Sequence, residues 1–66
     1  MYFSAEFPAK TDSQALYDDV KQYKINVTDI QTKVYMYGEV SAKYCATLLQ
    51  ICYKYAFVHI DIKNPS

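Results

Sequence analysis

The chain has 66 residues, 52% apolar and 21% charged, with seven basic residues against seven acidic ones; all of the basic ones are Lys. That length holds one domain, residues 1–66, and the composition excludes a disordered tail. A zero balance without Arg argues against electrostatic nucleic-acid binding, and no apolar run reaches the roughly 20 residues that cross a bilayer.

Met1, Phe3, Ala5 and Phe7 alternate with Tyr2, Ser4 and Glu6. This period of two predicts a strand over 2–7 with one apolar face, closed by Pro8. Thr11-Asp12-Ser13-Gln14 has the form of a capping box with Thr11 as N-cap. A helix over 12–23 follows, with Leu16, Val20 and Tyr23 as its apolar stripe. Residues 25–28 form a weaker candidate strand, with Asp29-Ile30-Gln31 as a tight connection. Residues 32–40 predict a strong strand: Thr32, Val34, Met36 and Val40 face inward, and Lys33, Tyr35, Tyr37 and Glu39 face outward. Gly38, the sole glycine, falls on the inner face, where a bulge or the close approach of a helix would explain it. Ser41 is a plausible N-cap for a helix over 42–54, whose stripe is Cys45, Leu48, Leu49 and Cys52. The last strand is expected over 56–62, with Ala56, Val58, Ile60 and Ile62 inward and Phe57, His59, Asp61 and Lys63 outward. Asn64-Pro65-Ser66 reads as a frayed end.

With residues 25–28 counted as a strand, the order is the split βαββαβ of ferredoxin-like domains, an α+β sandwich with two helices on one face of a small sheet. Without them it is a three-stranded parallel βαβαβ layer, which would be marginal at this length. The first arrangement is expected, in the usual strand order 4-1-3-2. The resemblance is to an architecture, and architecture alone does not give function.

Little catalytic chemistry is available. Cys45 and Cys52 lie seven residues apart on one expected helix, about 10.5 Å between Cα atoms, too far for a mutual disulfide. Both are expected to be buried thiols. Ser4, Ser13 and Ser41 lack triad partners at recognisable spacing, and one glycine cannot build a phosphate loop. Asp18-Asp19 reads as an exposed charge doublet. His59, Asp61 and Glu6 could share one sheet face, but the spacing is commonplace, and a surface histidine is expected with no metal or cofactor. Asn26-Val27-Thr28 formally matches a glycosylation sequon, and a chance match is expected, because Met1–Phe7 does not read as a basic, then apolar, secretory signal. A cytoplasmic location is therefore expected.

The eight tyrosines are the compositional oddity. On the face away from the helices, Tyr2, Tyr35, Tyr37 and Phe57 would form an aromatic field, with His59 beside it and mixed charges around it. Aromatic centres with polar rims suit protein interfaces. The expected function is a small non-enzymatic interaction or regulatory protein, homodimeric through Tyr2, Tyr35, Tyr37, Phe57 and His59, or bound to another protein. The alternatives are single-stranded nucleic acid stacked on the same tyrosines, and small-ligand sensing.

Overall fold

Apolar alternation sets the sheet of the computed structural model, in which residues 1–64 are described. The opening run becomes β1 (Tyr2–Pro8), with Phe3, Ala5 and Phe7 at most 1% exposed. Next come α1 (Ser13–Val20), a 3-10 turn (Lys21–Tyr23), β2 (Asn26–Asp29) and β3 (Lys33–Glu39). A second 3-10 turn (Ala42–Tyr44) leads into α2 (Cys45–Lys54), and β4 (His59–Lys63) ends the order. The weak segment is a strand, and the sheet runs β2-β3-β1-β4 with every neighbouring pair antiparallel. The protein is thus α+β, with a four-stranded antiparallel sheet and two α-helices, and the three-stranded parallel alternative is overturned.

Both helices cover one face. Leu16 and Val20 of α1 and Leu48 and Cys52 of α2 join Phe3, Ala5, Phe7, Val34 and Met36 in a single core, closed by Ile25 and Val40. Burial pushes the Cys52 thiol up to about 12, which keeps it inert. Cys45 is only half-buried, its Sγ 3.9 Å from the Met1 sulfur, so the expectation of two buried thiols holds for Cys52 alone.

The helix ends differ from the capping-box reading. Asp12 is the N-cap of α1: its Oδ1 accepts the Ala15 N–H at 3.1 Å, while Gln14 donates to Asp18 at 3.3 Å instead of reaching back. A carboxylate in this position also complements the positive end of the helix dipole, which the Thr11 hydroxyl cannot. Ser41 precedes the second 3-10 turn but makes no side-chain capping bond.

The last strand begins three residues later than its alternation suggests, for two backbone reasons. First, α2 ends in a Schellman arrangement, with Ala56 at φ 55°. The Ala56 N–H donates to the Tyr53 carbonyl, and the Phe57 N–H to the Cys52 carbonyl, both at 3.2 Å. Second, the Val58 N–H donates to the Glu6 carbonyl at 2.7 Å, although His59 is the register partner of Glu6. Two residues facing one is the geometry of a bulge, and it shifts the alternation upstream of His59. Phe57 therefore packs toward the core, 5.2 Å from Tyr53 ring to ring, and Val58 is left 65% exposed. This reverses the faces expected for Phe57 and Val58. Thr32, expected inside β3, lies instead in the β2–β3 connection, where Gln31 has φ 71° and its N–H is held by Asp29 Oδ1 at 3.1 Å.

Gly38 sits in unbroken register opposite Phe3, so no bulge explains it. The close neighbour is the segment entering β2: a Cβ at Gly38 would meet Ile25 Cδ1 at 3.1 Å and the Lys24 carbonyl oxygen at 3.2 Å. Lys24 itself has φ 59°, so this segment has little freedom to retreat. Gly38→Ala is expected to lower stability by about 1–3 kcal/mol through overpacking. Ala56→Gly, which relieves a left-handed backbone, is expected to raise it by about 1 kcal/mol. Urea unfolding of the two variants checks both signs.

Candidate functional site: the open sheet face

The register places the side chains of the uncovered face in rows. One row, from β2 to β4, is Asn26, Tyr37, Ser4 and Asp61; the next is Thr28, Tyr35, Glu6 and His59. Tyr2 lies between Glu39 and Lys63, and Pro8 lies beside Lys33. Of the five residues read from sequence as one aromatic patch, Tyr2, Tyr35, Tyr37 and His59 share this face and Phe57 does not. Tyr2 and Tyr37 are 41% and 37% exposed. Tyr35 is half-buried, with Lys33 Nζ 5.1 Å from its ring centroid, within cation–π range.

Lys33 links the two central strands, its Nζ donating to Glu6 Oε1 at 3.0 Å. Hydrogen bonding from Lys33, and then from the Tyr35 side chain, holds the Glu6 carboxyl below the usual range. The Tyr35 side chain and then Glu6 raise the Lys33 ammonium in turn. His59 is exposed opposite Glu6, and Asp61 pairs with Lys63 of its own strand at 3.6 Å. Among the described residues, no three His, Cys, Asp or Glu side chains are grouped as a metal site.

At the Pro8 end of this face, Glu6, Phe7, Pro8, Thr32, Lys33 and Val58 line a shallow groove of about 430 Å³. Val58 escapes sequence reasoning because the bulge that exposes it leaves no mark in the apolar pattern. The helix side holds one cluster that alternation also hides. The Tyr55 hydroxyl donates to Asp19 Oδ2 at 2.6 Å and Lys54 Nζ to the same oxygen at 3.0 Å, tying α1 to the end of α2. These two bonds, Tyr55 first, hold the Asp19 carboxyl low. Asp19 is thus a half-buried bridge between helices rather than half of an exposed doublet.

No helix among the described residues is long and apolar enough to cross a membrane. The chain matches no protein-family model, no curated protein and no solved structure.

The lowered carboxyls fix a pH dependence. A carboxyl held low in the folded state contributes stability above its unfolded pKa, and that contribution is lost as pH falls through the folded value. Glu6→Gln and Asp19→Asn are each expected to shrink the loss of stability between pH 7 and acid, read as urea midpoints across pH. An acid limb unchanged in both variants would show that neither pair matters to the fold.

Proposed function

We propose that this chain is a small non-enzymatic interaction or regulatory protein, built on a ferredoxin-like sandwich and homodimeric through its open sheet face. The strand order, read from the β4 edge, is 4-1-3-2 with every neighbour antiparallel, which supports that sandwich. The observation that carries the functional reading is the placement of Tyr2, Tyr35 and Tyr37 on the two central strands, on the side without helices. Large, rigid side chains with a polar end, central in a patch, are what interfaces concentrate.

Charge favours a second copy as the occupant. Glu6, Glu39 and Asp61 are matched on or beside this face by Lys33, Lys63 and the Met1 ammonium. A two-fold axis can therefore set opposite charges against each other, whereas a polyanion meets no net positive field. The unpaired thiols Cys45 and Cys52 suit a reducing, cytoplasmic compartment. The face is small: four short strands cover about 400 Å² in projection. Standard interfaces bury about 800 Å² per partner, so this face belongs with weak, transient contacts, and its dimer is expected to be no tighter than micromolar.

Sedimentation equilibrium of the wild type at about 100 µM, where a micromolar dimer is populated, should return a mass of at least a dimer. Tyr35→Ser/Tyr37→Ser should weaken it at least ten-fold, with helix content unchanged. A wild-type monomer at that concentration overturns the reading. Retention of short single-stranded DNA or RNA that falls away with salt would favour the stacking alternative instead.

A further inference from the structure

The sheet has a second unpartnered element, the β4 edge, and its hydrogen-bonding groups are determined by the register. Met1 and Val40 exchange both main-chain hydrogen bonds, each 2.8 Å. Main-chain groups alternate sides along a strand, so Phe3, Ala5 and Phe7 point theirs toward β3, and Tyr2, Ser4 and Glu6 toward β4. Their partners His59, Asp61 and Lys63 point inward. The main-chain groups of Ile60 and Ile62 therefore face outward, unpaired among the described residues, on an edge whose isoleucine side chains are only half-buried. The other edge strand, β2, is four residues long and offers Val27 and Asp29.

We propose that β4 pairs antiparallel with β4 of a second copy about a two-fold axis at Ile62, extending the sheet across two chains. Centred on any residue from Ile60 to Lys63, the pair keeps the helices of both copies on the same side of the joined sheet. Centring on Asp61 or on Lys63 sets that residue against its own copy, and like charges directly opposite are destabilising. Centring on Ile60 runs into the bulge, where the Val58 N–H is already committed to Glu6. Centring on Ile62 sets Asp61 against Lys63 twice and Ile62 against itself, and uses the outward groups of Ile60 and Ile62. In that register Asp61 and Lys63, already 3.6 Å apart within one strand and 46% and 71% exposed, exchange partners between chains. The covered isoleucine pair buries apolar surface on the helix side while the two ion pairs lie on the open side.

This contact is separate from the proposed face contact, since it lies in the plane of the sheet rather than over it. The test uses three single-cysteine probes in a Cys45→Ser background, where Cys52 stays buried. A residue on the axis faces its own copy at about 5.5 Å between Cα atoms, within reach of a disulfide. Under mild oxidation, Ile62→Cys is expected to give disulfide-linked dimers and Ile60→Cys and Asp61→Cys far less. The link should persist when Tyr35→Ser/Tyr37→Ser is added, which separates this edge from the face. Without any added cysteine, Lys63→Glu should cut edge association at least ten-fold, and Asp61→Lys/Lys63→Glu should restore it, both read by sedimentation in the Tyr35→Ser/Tyr37→Ser protein. No link at residue 62, a preferred link at 60 or 61, or a Lys63→Glu protein with unchanged mass would overturn the proposal.

Discussion

Everything in this fold depends on the contact of two short helices with one face of a four-stranded sheet. Phe3, Ala5 and Phe7 on β1 and Val34 and Met36 on β3 are sealed by Leu16, Val20, Leu48 and Cys52. Among the described residues, no second layer of structure lies on the opposite face. The alternation that makes one side of β1 and β3 a core therefore obliges the other side to face outward, and that side carries Tyr2, Tyr35 and Tyr37. A chain this small buries only about 60% of the surface its unfolded form exposes, so its core alone is thin. A second copy on that face, as proposed, would add stability by mass action and link association to folding.

The polar bonds have a secondary but specific part. Lys33–Glu6 joins the central strands on the open face, and Tyr55 and Lys54 clasp Asp19 across the helices. Both pairs are substantially solvent-exposed, where ion pairs contribute little energy. Their effect is orientation. Lys33 Nζ stands over the ring of the half-buried Tyr35, while Tyr37 and Tyr2 remain accessible.

How much was legible in the sequence follows from which physics wrote each element. β1 and β3 were legible because burial on one face imposes a period of two, and the core positions of both helices because burial imposes a period near 3.6. Residues 25–28 could be read as a strand only from topology, and Val27, which is opposite Met36, is the one apolar side chain that β2 itself contributes. What failed was backbone geometry. The left-handed turn at Ala56 and the extra residue at Val58 carry no glycine or proline to announce them, so the apolar alternation runs on through Phe57 across a break that it does not mark. Cap choice failed similarly, because Thr11 and Asp12 are adjacent and both able to cap. The tyrosine face was legible for Tyr2, Tyr35, Tyr37 and His59, which lie beyond those breaks, and not for Phe57, which lies within them.

The central claim is that the face left uncovered by the helices is where this protein meets its partner copy. A dilution series followed by backbone amide NMR shifts tests it residue by residue. Concentration-dependent shifts should include Tyr2, Ser4, Glu6, Tyr35 and Tyr37 on the central strands, beyond any at the β4 edge, with the outward surfaces of α1 and α2 unmoved. Shifts confined to the helices or to β4, or none across the range in which a micromolar dimer dissociates, would contradict the account.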